Sequence, residues 1–119
     1  MLSNKQDPTD VKQDVTYILN DVTFVWNNIK YNENIKKHDI RFEEAAEVLL
    51  HDDTLITPDI EHSDDEDRDI AIGFSFKLRV LVVCHCLREN GTIYRIISAR
   101  KATKDEYEEF GEWLDEIKV

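Results

Sequence analysis

Asn90-Gly91 stands between two apolar runs, Leu78 to Leu87 and Thr92 to Ala99. Both residues tolerate the positive φ that a type I′ turn demands, so the dipeptide predicts an antiparallel hairpin. A third run, Ile70 to Phe76, precedes it across Ser75-Phe76-Lys77, a second candidate turn, and extends the hairpin to a meander. With 119 residues, the chain is expected to form one domain, a sheet backed by helices around a single core.

The remaining segments supply the helices. Val11, Val15, Ile18, Leu19 and Val22 recur at helical spacing and predict an amphipathic N-terminal helix over roughly residues 9 to 21, capped by Thr9 or Asp10. Val22, Phe24 and Trp26 alternate as in a strand, with Asn27-Asn28 as its turn. Ile29 to His38 and Phe42 to about His51 read as helices. Between them and the meander lie a short strand, Leu55 to Thr57, and an acidic loop from Asp59 to Asp67. Thr103 with Glu106 forms a capping box that opens a final helix, whose apolar stripe is Tyr107, Phe110, Trp113, Leu114 and Ile117. Helices grouped beside a run of strands indicate an α+β fold with an antiparallel sheet.

Composition narrows the function classes. No apolar run reaches the ~20 residues of a membrane helix, and MLSNKQDPTD lacks a signal-peptide core, so a cytoplasmic protein is expected. Cys84 and Cys86 alternate on one strand face and are read as small apolar side chains in a reducing compartment. A metal site with His85 fails because that residue points the other way, and no second Cys/His pair has metal spacing. SDDED lacks the glycine and terminal glutamate of a Ca²⁺ loop. Neither a cofactor nor a metal is implied.

The formal net charge of −11 opposes binding to a polyanion. Its distribution is uneven, however. From Arg68 to Lys101 the cations Arg68, Lys77, Arg79, Arg88, Arg95, Arg100 and Lys101 face only Asp69 and Glu89, a local excess of about +5. By parity, Arg79 and His85 share a face of their strand with Leu81 and Val83. Val80, Val82, Cys84 and Cys86 form the other, taken as the core side. On the next strand, Arg95 and Lys101 fall on one face, and Ile96, Ser98 and Arg100 on the other.

From Phe24 to Phe110 the sequence resembles the BrnT family of toxins. The resemblance rests on Phe24-Val25-Trp26-Asn27, on Asn34, Lys37-His38 and Phe42-Glu43-Glu44-Ala45, and on His62, Glu66 and Arg68. It continues at Ile72-Gly73, Arg79 and Val82-Val83, and closes with Arg95-Ile96-Ile97-Ser98-Ala99-Arg100-Lys101-Ala102. KH…FEEA followed by RIISARKA at this separation is specific. Four positions depart from the family pattern: Asn27 replaces Asp, Asp39 replaces Gly, Arg41 replaces a Ser/Thr helix cap, and Phe110 replaces Tyr.

The resemblance implies a RelE-like fold with residues 1–22 as an extension, 23–110 as the family core and 103–117 as the last helix. It also implies a metal-independent ribonuclease that inhibits translation. A BrnA-like ribbon-helix-helix antitoxin would neutralise it and connect it to operator DNA only indirectly. Within that expectation Arg68, Arg79 and Arg100 hold phosphate, because guanidinium is always charged and forked. Lys37 and His38 transfer protons or position RNA, since imidazole titrates near neutrality. Arg95 and Lys101 are further RNA contacts. His38 at a helix end also suits a merely structural role on free carbonyls, and His85 suits a packed strand position. The acidity and the four departures favour an alternative, a catalytically silent binding or regulatory protein of the same fold. Mimicry of nucleic acid by the acidic surface is a third reading, opposed by the clustered arginines.

Overall fold

The computed structural model describes residues 11–62 and 67–117. Its elements run β1 (Asp14–Leu19), β2 (Val22–Asn27), α1 (Asn28–His38), α2 (Phe42–Leu50) and β3 (Leu55–Pro58). A 3-10 turn follows (Ile60–His62), then β4 (Asp69–Phe74), β5 (Val80–Arg88), β6 (Ile93–Lys101) and α3 (Lys104–Ile117). The strands form one six-stranded sheet in the order β1-β2-β6-β5-β4-β3. The fold is α+β as expected, but the sheet is mixed rather than antiparallel. β2 lies parallel to β6, with Phe24 beside Tyr94, while every other pair is antiparallel.

The predicted N-terminal helix is corrected to a strand. Thr9 and Asp10 lie outside the described residues, but 14–19 pair antiparallel with 22–27 through a turn at Asn20 (φ 50°) and Asp21 (φ 64°). The helical spacing of Val15, Ile18 and Leu19 is outweighed by the two-fold alternation of Val15, Tyr17 and Leu19. These three pack on the core while Ile18 is 64% exposed. Two consecutive residues tolerant of positive φ then close the hairpin. Asn28 secures the strand's start: its backbone N–H donates to Gln13 O (3.0 Å), its Oδ1 accepts from Gln13 N–H (2.9 Å), and its Nδ2 donates to Val11 O (2.8 Å).

The expected β5–β6 hairpin is present with a longer connection. Glu89, Asn90 and Gly91 all adopt positive φ (51°, 57° and 85°), and Arg88 pairs with Ile93 across them. The capping box is also formed. Thr103 N–H donates to Glu106 Oε1 (2.8 Å), and Glu106 N–H donates to Thr103 Oγ1 (3.2 Å).

The core lies on one face of the sheet. Phe24, Trp26, Ala71, Leu81, Val83, Ile96 and Ala99 meet Phe42, Ala45, Ala46, Val48 and Leu49 of α2 there. The faces of β5 are the reverse of the expectation from sequence: Leu81, Val83 and buried His85 lie on the side of α2, and Val80, Val82 and Cys84 on the opposite side, where Phe110 of α3 packs on Phe74. The assignment for β6 fails for a local reason. His85 pairs with Ile96 but Cys84 with Ser98, so Ile97 is an inserted bulge residue. Across it the pleat inverts. Ile96 stays in the core, Ser98 and Arg100 emerge on the far face with Cys84 and Val82, and Arg95 and Lys101 are placed on opposite faces.

Candidate functional site

Beyond Arg95, β6 has no strand partner on the β2 side among the described residues, because β2 pairs only with residues 93–95 before the chain turns into α1. Asn27 makes that turn possible. Its side chain accepts from Ile29 N–H and Lys30 N–H at 3.0 Å each, so the residue replacing the family's aspartate still caps the helix. α1 then runs along the open edge of β6. Buried Asn34 takes the place of the missing strand: its Oδ1 accepts from Ala99 N–H (3.0 Å) while its Nδ2 donates to Ala99 O (2.8 Å) and to Ile40 O (2.9 Å).

This clamp brings the last turn of α1 beside the bulge. Lys37 and His38, with Lys30 and Glu33, line a cleft of about 240 Å³ that ends on Ile97 and Ser98. A second cleft, of about 330 Å³, begins on the same two residues and contains Arg68, Arg100, Asp59 and Glu61 over Val82 and Cys84. The bulge is thus the shared wall between a lysine–histidine pair and an arginine pair.

The electrostatics of the two clefts are linked. Burial, followed by the positive charges of Lys37 and Arg100, lowers the His38 pKa below its ordinary 6.5. A neutral imidazole at neutral pH is a proton acceptor. Among the described residues, the ring makes no hydrogen bond to a helix carbonyl. The αL residue after it, Asp39 (φ 57°), closes the helix through its backbone N–H to Ile35 O (2.8 Å). Glycine adopts that conformation at less cost than an L-residue does.

Arg100 is held by α3. Its Nη1 donates to Glu106 Oε1 (2.6 Å), its Nη2 to Glu106 Oε2 (2.9 Å), and Nη1 also to Lys101 O (3.3 Å). This fork pushes the Glu106 carboxyl down to about 2. Arg68 enters at the start of β4, where its carbonyl accepts from Asp59 N–H (2.8 Å).

The other expected site residues are placed elsewhere. Arg79 faces α2, and its guanidinium forms a two-pronged ion pair with buried Glu44, through Nε (2.9 Å) and Nη2. The pair raises the pKa of Arg79 and lowers that of Glu44. Arg95 pairs with exposed Asp14 at 3.0 and 3.2 Å. Lys101 is paired with Leu81 and so lies on the α2 side of the sheet. His85 is 1% exposed against Tyr94, and burial lowers its pKa. The side chains of His62 and Glu66 fall outside what is described.

Three contributors are not visible from residue type alone. Asn34 and Glu44 are buried polar residues at positions where an apolar stripe would continue, which is the signal they carry. Glu106 was legible as a cap but not as the partner of Arg100. Arg41, which replaces the Ser/Thr helix cap of the family pattern, occupies the α2 N-cap position and makes no side-chain cap bond. Among the described residues, no group of three His, Cys, Asp or Glu side chains is arranged to hold a metal ion, and no helix is long and apolar enough to cross a membrane.

Comparison with known proteins gives both a family match and a structural match. Residues 26–106 match the model of a family described as the ribonuclease toxin, BrnT, of type II toxin–antitoxin systems. The chain is also similar to the crystal structure of the Brucella abortus ribonuclease toxin BrnT. Identity is 25% over 66% of this chain and 94% of that one, with a TM-score of 0.51. No curated protein matches it.

Proposed function

The chain belongs to the BrnT family of ribonuclease toxins of type II toxin–antitoxin systems, and on that premise we propose that its own twin cleft cuts RNA. The observation that carries this reading is the junction at Ile97 and Ser98, which separates the cleft lined by His38 and Lys37 from the cleft lined by Arg68 and Arg100. In the reaction His38, neutral at the outset, takes the proton of a ribose 2′-hydroxyl. The 2′-oxygen attacks the adjacent phosphorus, and Arg68 and Arg100 stabilise the charge that builds on the non-bridging oxygens. The bond to the 5′-oxygen breaks, and Lys37 supplies the proton to that leaving oxygen. The products are a 2′,3′-cyclic phosphate and a 5′-hydroxyl end, with no metal in any step. Arg79, committed to Glu44, acts as a structural residue in this scheme, and Arg95 and Lys101 contribute at most peripheral RNA contacts.

The cellular role follows from the same premise. RNA cleavage in the cytosol inhibits translation until a BrnA-like ribbon-helix-helix antitoxin binds the toxin, and operator DNA is reached only through that partner. The helix pair on one face of the β4–β6 meander supports a RelE-like description of the fold.

A second reading is favoured by one observation: the carboxylates of Asp59 and Glu61 line the arginine cleft and oppose an incoming phosphate. It makes the chain a catalytically silent binding or regulatory protein of this fold. Induced expression in a bacterial host separates the two. Growth arrest with RNA breakdown for wild type, abolished by Arg68→Ala or Arg100→Ala, supports the ribonuclease. Unimpaired growth with soluble, folded wild-type protein supports the silent alternative.

A further inference from the structure

Arg100 has five N–H donors, arranged as an end-on fork between Nη1 and Nη2 and a side-on fork between Nε and Nη2. Three donors are used. Glu106 takes the end-on fork at 2.6 and 2.9 Å, and Lys101 O takes the second Nη1 hydrogen at 3.3 Å. Among the described residues, the Nε hydrogen and the remaining Nη2 hydrogen have no partner, and together they form the intact side-on fork. Arg100 lines the cleft shared with Arg68 and Ser98.

The carboxylate that sets this arrangement is itself fixed. Glu106 Oε1 accepts from Thr103 N–H (2.8 Å), Glu106 N–H donates to Thr103 Oγ1 (3.2 Å), and α3 is anchored by Phe110, 1% exposed, edge-on to Phe74 at 5.4 Å. A long arginine side chain left to itself loses rotamer freedom when it binds a phosphate. Here that ordering is already done, which is how an enzyme makes a charged group more effective in the transition state than in the ground state.

We infer that Glu106 is a positioning residue for RNA cleavage: it grips Arg100 end-on so that the Nε/Nη2 fork is presented, pre-oriented, to the non-bridging oxygens of the scissile phosphate. This inference rests on the ribonuclease reading above. It also gives α3 a task beyond covering the sheet.

The test compares wild type, Glu106→Gln and Thr103→Ala on a short RNA oligonucleotide, with each variant's thermal unfolding recorded. Glutamine retains the capping box, because either residue serves at that position, but weakens the charged fork on Arg100. Thr103→Ala removes the hydroxyl cap while leaving the backbone N–H that bonds Glu106 Oε1. The expected result is a kcat about ten- to a hundred-fold lower for Glu106→Gln, with KM changed less than about three-fold. Thr103→Ala lowers the melting temperature and keeps its kcat. An unchanged or higher kcat in Glu106→Gln overturns the inference, and a higher one with tighter RNA binding makes Glu106 a competitor of phosphate. Equal losses of kcat in both variants also overturn it, because helix stability then accounts for the effect. If wild type does not cleave RNA at all, the ribonuclease reading fails and takes this inference with it.

Discussion

The Asn34 carboxamide is hydrogen-bonded to both backbone groups of Ala99, accepting from its N–H at 3.0 Å and donating to its carbonyl at 2.8 Å. A side chain here does what a seventh strand segment would do. It satisfies the open edge of β6 where β2 departs, and fixes the distance between α1 and the Ile97 bulge. A third bond, to Ile40 O at 2.9 Å, ties the turn into α2 to the same point. Asn34 thereby ties α1, which carries one cleft, to the strand whose Ile97 and Ser98 line both clefts.

Replacing Asn34 by alanine leaves three buried backbone groups unpaired. Each such loss costs about 1–3 kcal/mol before relaxation and water entry, so a net destabilisation of about 3 kcal/mol is expected. Urea unfolding measures it. A loss under about 0.5 kcal/mol would show that water replaces the clamp without difficulty.

The Arg79–Glu44 pair has a different expected phenotype. Arg79→Ala strands the Glu44 carboxylate, which is buried in α2, and is predicted to cost about 2 kcal/mol or more. Where the variant remains folded, RNA cleavage persists. Arg79→Met with Glu44→Leu restores part of the stability, since a buried ion pair is replaceable by apolar groups of similar volume. A stable Arg79→Ala protein without activity would instead return Arg79 to the phosphate site.

Asp39 occupies an αL position that costs an L-residue free energy and glycine almost none. Asp39→Gly is accordingly predicted to stabilise the protein by about 0.5–1 kcal/mol. The denaturant midpoint reads this directly, and a lower midpoint contradicts it.

Acid should destabilise the fold in two stages. Burial lowers the pKa values of His85 and His38 below 6.5, so the unfolded chain binds protons first as pH falls. Stability is therefore fully present above about 6.5 and declines below it. Glu44, through Arg79, and Glu106, through Arg100, are lowered from 4.5, the latter to about 2. Their contribution is lost between about 4.5 and 2, by the same sign. Urea midpoints from pH 8 to 4 check the first stage, and a flat profile between pH 7.5 and 5.5 would contradict it.

The sequence made some of this legible and hid the rest for identifiable reasons. The meander, the helices α1 and α2 and the Thr103–Glu106 cap were readable because turn chemistry and periodicity are local. β1 reads as a helix because Val15 and Leu19 satisfy both periods and Ile18 fits the helical one, and only pairing with β2 decides between them. The faces of β6 were misread because parity assumes an unbroken pleat, whereas one extra residue, Ile97, inverts it. Within the site, Lys37, His38, Arg68 and Arg100 were nameable from the family resemblance. Their juxtaposition was not, since it depends on a contact between residues 34 and 99. Glu44 and Glu106 were read by their place in a helix, and their arginine partners are tertiary facts.

The most direct test is the pH dependence of cleavage of an end-labelled RNA oligonucleotide by the purified chain in a chelating buffer, for wild type and His38→Gln. The account predicts a wild-type rate that rises with pH to a plateau with its half-point below 6.5, cyclic phosphate product ends, and loss of that limb and of most activity in His38→Gln. No cleavage by wild type, or an identical pH profile in the variant, would contradict it.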